Sequence, residues 1–163
     1  MRIPKSRFDS SWAHTMIEYK KSSVILVFNN AGKIALQLRS SVDDLFPSYW
    51  DFSAGGGVDD GENEEVSAKR ELKEEIGVVA DIEFVAKKHY KYPAWKPGVT
   101  RETDLFIYKA FHEGPFNPDL TEVEKVQFFE LDTIQEMIDA GEKLHPELVL
   151  SWKDGVIRQA AGS

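Results

Sequence analysis

The chain has 163 residues, enough for one domain with a real core, and a formal net charge of −8. That acidity argues against nucleic-acid backbone as a partner, and the absence of cysteine excludes disulfides, zinc–thiolate sites and thiol catalysis. No apolar run approaches a membrane span, the N-terminus lacks a signal-peptide core, and the cytoplasm is the expected location. Residues 1–17 are polar and irregular, with scattered Phe8, Trp12 and Met16, and read as an N-terminal arm or edge strand. Ser22 to Phe28 is rich in β-branched and aliphatic residues and reads as a buried strand. Asn29 to Gly32 is a turn, and Lys33 to Arg39 alternates, so the pair reads as a hairpin with one buried face. Ser40 to Tyr49 is a loop, and Trp50 to Ser53 leads into the glycines of Ala54–Val58, read as loop chemistry.

The stretch Asn63 to Ile76 has no Gly or Pro and is full of strong helix formers. Asn63 suits the N-cap and Gly77 the left-handed C-cap. At about 100° per residue, Ala68, Leu72 and Ile76 form a core-facing stripe. Glu71, Glu74 and Glu75 fall on a neighbouring face, where they repel one another, and the last two face the unfavourable end of the helix dipole. A solvated acidic face is the ordinary meaning of such a run. The alternative is a hard divalent cation, Mg²⁺ or Mn²⁺, held by oxygen ligands, which points to phosphate as the substrate group. Further on, Ile82 to Tyr92 and Thr103 to Phe111 read as strands, with Pro93–Val99 a loop holding Trp95. Glu113 to Asp119 is a loop, and Val123 to Leu131 reads as a strand entering a helix. Asp132 is the expected N-cap with Gln135 as its capping-box partner, and Pro146 opens the last helix. There is neither a Gly-x4-Gly-Lys phosphate loop nor a Gly-x-Ser-x-Gly elbow, and the four histidines show no metal spacing.

Gly56, Glu62, Arg70, Glu71, Leu72, Glu74, Glu75, Gly77 and Val78 match the Nudix box without a departure. The chain therefore resembles a Nudix hydrolase. More loosely, Gln37–Ser40, Pro47 and Trp50–Ser53 are similar to a subgroup close to isopentenyl diphosphate isomerase. The resemblance implies one Nudix domain over 1–163, an α/β (α+β) fold in the form of an α/β/α sandwich on a mixed sheet. It implies metal-dependent cleavage of a diphosphate bond in a nucleoside diphosphate linked to another moiety, with one to three Mg²⁺ or Mn²⁺ ions. A small-molecule diphosphate, a nucleotide, is the implied partner, with a homodimer as the implied assembly.

On that resemblance Glu71, Glu74, Glu75 and the Gly56 carbonyl are the metal ligands, with Glu62 and Arg70 forming a supporting fork. The catalytic set is Glu75, Glu74, Arg70 and Glu102. Glu102 and Asp104, two apart on a strand, share a face and could meet the helix cluster; Glu122 and Glu124 are the rival pair, and surface exposure is the plain alternative for both pairs. Arg39 is the candidate for holding phosphate. Trp50, Tyr92, Trp95 and Phe116 are rings able to stack on a base, with Trp95 preferred and Trp50 assigned to the core. Two other readings stand beside hydrolysis: an isomerase, disfavoured because that chemistry needs a cysteine, and a non-catalytic nucleotide sensor, disfavoured because every box glutamate is present.

Overall fold

The computed structural model describes residues 16–162. In chain order these form β1 (Met16–Phe28), β2 (Ile34–Arg39), β3 (Trp50–Asp51), β4 (Ala54–Gly57), α1 (Glu64–Ile76), β5 (Glu83–Pro93), β6 (Val99–Phe111), β7 (Val123–Phe129), α2 (Leu131–Asp139), α3 (Pro146–Lys153) and α4 (Val156–Gly162). The expected N-terminal arm lies outside the described residues except for Met16 and Ile17, which begin β1.

The sheet is mixed, with order β3-β2-β1-β6-β5, β4 beside β1 and β7 beside β2. β1 and β6 run parallel along their whole length, from Met16 opposite Val99 to Phe28 opposite Phe111. Both strands are longer than the apolar runs suggest, because pairing extends them into polar sequence. α1 packs on one face, against Ile25, Val27 and Ala35, through Ala68, Leu72 and Ile76. The other face carries Val24, Leu26 and Ile107 under α2, α3 and α4, which contribute Ile134, Leu148, Trp152 and Ile157. This is an α/β/α sandwich, so β2 is buried on both faces rather than one: Ile34, Ala35, Leu36 and Gln37 are all buried. Among the described residues no helix is long and apolar enough to cross a membrane.

One edge of β1 is shared. Its Ser22–Ile25 segment pairs with β4, and Val27–Phe28 pairs with β2. The glycines of β4 are therefore strand, not loop; their conformation comes from β1 and not from their own weak propensity. Ser53 sits at the handover. Its hydroxyl accepts from the Val27 N–H at 2.8 Å and donates to the Ala35 carbonyl. Below that point β2 and β4 diverge and leave a gap.

The caps of α1 are as expected. Asn63 Oδ1 accepts from the Glu65 and Val66 N–H groups at 2.9 and 3.0 Å. Gly77 closes the helix at φ 71°, and Asn117 packs where its Cβ would be. Asn63→Ala should cost about 1 kcal/mol in chemical denaturation. A loss within error would mean the cap is taken over by another group. The cap of α2 differs from expectation. Glu130, still extended from β7, is the N-cap residue and makes no side-chain cap bond. Asp132 is the second residue of the helix, in its first turn, and binds Arg158, while Gln135 accepts from the Trp152 indole at 2.8 Å. α3 starts at Pro146 as expected, with His145 capping it, but α4 follows as the last helix.

Candidate functional site

A cleft of about 700 Å³ opens at the gap between β2 and β4. Its floor is Gly55–Gly57, and α1 lends it Glu71 and Glu75. Glu75 reaches deepest. Its Oε1 accepts from Gln37 Nε2 at 2.9 Å and from the Gly55 N–H at 3.1 Å. Gln37 is itself buried and also donates to the Ser53 carbonyl at 3.2 Å, so β2, β4 and α1 are tied together through one amide. Burial, reinforced by the Glu71 charge, raises the Glu75 carboxyl well above the usual range, against the pull of the Gly55 and Gln37 donors. Burial raises Glu71 as well, with Arg70 opposing and Glu74 and Glu122 adding to it.

Glu71 lies over Gly56, where an added Cβ would stand 2.2 Å from Oε2. The backbone here is pressed against a carboxylate, an approach only glycine permits. Arg70 grips Glu62 through two parallel bonds, Nε to Oε2 and Nη2 to Oε1, both 2.9 Å. Its Nη1 holds Glu71 Oε1 at 2.7 Å. The fork thus fixes the loop before α1 to the helix and orients Glu71 from behind.

Glu74 is placed differently from its neighbours. At 100° per residue, Glu75 is about 40° to one side of Glu71 and Glu74 about 60° to the other. Glu74 is 60% exposed and turns to Arg70 Nη1 at 3.4 Å. Among the described residues no three His, Asp or Glu side chains converge closely enough to hold a metal ion by themselves. Glu71, Glu75 and the close backbone at Gly56 still make an oxygen-only donor set with excess negative charge, which suits a hard divalent cation.

Of the remaining carboxylates, Glu122 borders the cleft and Glu124 does not. The Ser40 N–H bonds the Glu122 carbonyl at 3.0 Å, and the Asp119 N–H caps the Glu75 carbonyl at 2.9 Å, which brings this loop alongside α1. Glu102 and Asp104 do not meet the helix cluster. They face His89 across the β5–β6 ladder, each 2.8 Å from one ring nitrogen, and Tyr19 donates to Asp104 at 2.5 Å. Both ring nitrogens must carry protons to satisfy two carboxylates. The Asp104 bond, and then the Glu102 bond, raise the His89 pKa. The stabilisation is fully present below the unfolded histidine value of about 6.5 and is lost as pH rises through the raised folded value. A melting-temperature profile should therefore fall more between pH 6 and pH 8 for the parent chain than for His89→Gln. A ring titrating at or under 6.5 by NMR would contradict this arrangement.

Arg39 lines the cleft, but its guanidinium is engaged by Asp51 and Asp43, both at 3.0 Å, and by the Leu45 carbonyl. Trp95 also borders the cleft, half-exposed, 5.2 Å from Phe46 and 5.7 Å from Tyr49 between ring centroids. Phe46 holds φ 49°, an uncommon conformation for a bulky residue, fixed by packing against Tyr49, Trp95 and His145. Trp50 packs edge-on against Phe129, as a core residue should, and Phe116 lies against Phe128 away from the cleft. In the sequence Gln37 and Ser53 stand out only as parts of the segments Gln37–Ser40 and Trp50–Ser53 that carry the looser resemblance, with no site role of their own. The only signal was a polar residue within an otherwise apolar strand, which alone does not distinguish a buried amide from a solvated one. Glu147 and Arg101 also border the cleft, and neither carries a signal in the sequence: one is an acid in the first turn of a helix, the other a basic residue in a polar stretch of strand.

A sequence model of the NUDIX domain matches residues 18–150. The chain belongs to the Nudix family. Members of this family are in general hydrolases of pyrophosphate bonds that use divalent metal ions. This Nudix chain is 32% identical over 108 residues to an uncharacterized Nudix hydrolase of Pseudomonas aeruginosa, an alignment covering 66% of this chain and 61% of that relative. It thus spans about three fifths of that relative's length. It is 30% identical over 142 residues to an isopentenyl-diphosphate Delta-isomerase of Nocardia farcinica, covering 85% and 81%. Its fold is shared with a MutT protein from Methanosarcina mazei Go1, at TM-score 0.70 and 19% identity, covering 87% and 95%.

Proposed function

We propose that this Nudix domain is a divalent-metal-dependent pyrophosphohydrolase acting on a nucleoside diphosphate linked to another moiety. The observation that carries the reading is the Glu71–Glu75 pair, Glu71 pressed over Gly56 and Glu75 held by the Gly55 N–H, on the floor of a cleft large enough for a nucleotide. Glu71, Glu75 and the Gly56 carbonyl would hold one or more Mg²⁺ or Mn²⁺ ions, with Glu74 within reach only after leaving Arg70. When bound, such ions neutralise charge building on the phosphate oxygens and acidify a water.

The chain's own groups do the rest. Arg70 keeps Glu71 aimed at the cleft, and Gln37 and the Gly55 N–H keep Glu75 in place. Glu122, exposed at the rim and near enough to Glu71 to raise its pKa, is the carboxylate placed to take a proton from the attacking water. The Glu102–Asp104 pair, held by His89, supports the sheet rather than the reaction. The isomerase reading has the Nocardia relative in its favour and the absence of any cysteine against it.

The test is hydrolysis of a panel of nucleoside and isoprenoid diphosphates with Mg²⁺ and with chelator, using the parent chain and separate Glu74→Gln and Glu75→Gln variants. Metal-dependent turnover that Glu75→Gln abolishes supports the reading. Tight binding of one compound with no turnover of any overturns it.

A further inference from the structure

The far wall of the cleft, opposite α1, carries a polar group that hydrolysis does not use. Glu147, the second residue of α3, is only 8% exposed yet borders the cleft. Its place is built from outside. The Trp50 N–H bonds the Lys143 carbonyl at 2.9 Å and the His145 N–H bonds the Trp50 carbonyl at 2.8 Å, which lashes the segment before α3 to β3. The His145 ring then caps the Glu147 N–H at 3.1 Å. One carboxyl oxygen, Oε2, accepts from the buried Tyr92 hydroxyl. No described group bonds the other. Beside it, the Nε of Arg101 is buried without a hydrogen-bond partner among the described residues.

That second oxygen reaches the surface of the cleft, where a donor on a ligand can take the place of water. Burial pushes the Glu147 carboxyl upward, against the opposing pull of His145, Tyr92 and Arg101. Flanking it, Trp95, Phe46 and His145 form an aromatic wall fit for a flat ring. An isoprenyl chain could fill this volume but could not satisfy the oxygen. A site built to hydrogen-bond a donor rejects ligands that lack it far more strongly than an apolar pocket rejects a polar isostere.

We propose that Glu147 is the specificity-determining residue of the cleft, its free oxygen accepting an N–H of a nucleobase, so that nucleoside phosphates are selected over isoprenoid phosphates. This rests on the pyrophosphohydrolase reading for the placement of the phosphates on the Glu71–Glu75 side.

The test is binding, not turnover. The full chain is titrated calorimetrically, with Mg²⁺ present, against cytidine, adenosine and guanosine monophosphates, isopentenyl monophosphate and inorganic phosphate. At least one nucleotide should bind tenfold or more tightly than isopentenyl monophosphate. Glu147→Leu should lose at least tenfold in nucleotide affinity, leave inorganic phosphate unchanged and narrow the gap to the isoprenoid ligand. Glu147→Gln, which keeps an oxygen in place, should retain affinity within about threefold. Equal binding of nucleotide and isoprenoid ligands by the parent chain overturns the inference, as does nucleotide affinity unchanged in a folded Glu147→Leu. The parent-chain comparison decides the matter even if that variant does not fold. Failure of the hydrolase reading alone would look different: base-selective binding intact, with no diphosphate turned over.

Discussion

Glu75→Gln should leave the fold standing and remove turnover. The amide keeps the size of the carboxylate and an oxygen for the Gln37 and Gly55 donors, so the ties among β2, β4 and α1 survive. What disappears is the charge that a metal ion needs. Metal stabilisation of transition-state charge is worth several kcal/mol, so kcat/KM should fall by about 10³-fold or more. Stability should move the other way. A carboxylate buried beside Glu71 is strained by desolvation and repulsion, and a neutral amide is not. Without metal, the variant's melting temperature should equal or exceed that of the parent. A collapse in melting temperature would mean that Glu75 is a structural group. Glu74→Gln, exposed and turned toward Arg70, should cost markedly less activity. Equal losses at both positions would show that Glu74 swings into the cleft during the reaction.

Gly56→Ala should separate activity from stability just as sharply. The new methyl would stand 2.2 Å from Glu71 Oε2 and 2.9 Å from its Cδ. The end of a glutamate side chain can move aside, so the fold loses little. The atom that moves, however, is one of the two oxygen-bearing groups at the cleft floor. A displacement of about 1 Å in a reacting constellation costs about 10²-fold in rate. Gly32→Ala is the opposite control. Nothing lies within 4 Å of its added methyl, but at φ +78° the residue is strained, so about 1 kcal/mol of stability should go with activity intact. If Gly56→Ala retained full activity, Glu71 would not be the group that binds at this site.

The sequence carries α1 almost completely, because its signals are local: an Asn cap, a Gly stop and, between them, an apolar stripe whose members are one turn apart. It also carries Arg70 and Glu62 as partners, though only through what the Nudix resemblance implies, because Glu62 lies in the loop ahead of the helix. It does not carry β4. Three glycines have no preference for strand, and only the partner edge of β1, some thirty residues earlier, makes them one. Asp132 and Gln135 fit a capping box by spacing, yet where β7 ends decides the cap, and that is a pairing matter. Glu102 and Asp104 do share a face, as alternation requires. Alternation says nothing about what else lies on that face, which here is His89 and Tyr19. Glu147 was illegible for a related reason: a lone acid after a helix-opening proline reads as a favourable dipole charge, and its burial depends on Tyr92 in β5.

The shared edge of β1 also sets where the molecule should breathe. The β1–β6 ladder is continuous over thirteen residue pairs, and its amides should exchange with solvent only when the whole sheet opens. Across the gap, β2 is joined to the start of β4 by the Ser53–Ala35 and Gln37–Ser53 bonds instead of by a ladder, so the amides of β3 and β4 should exchange through a smaller, cheaper opening. A ligand spanning from Gly56 to the far wall acts there as a missing rung. It should slow exchange in β3 and β4 and leave the β1–β6 amides unchanged, so that occupancy of the cleft is written into one seam of the sheet.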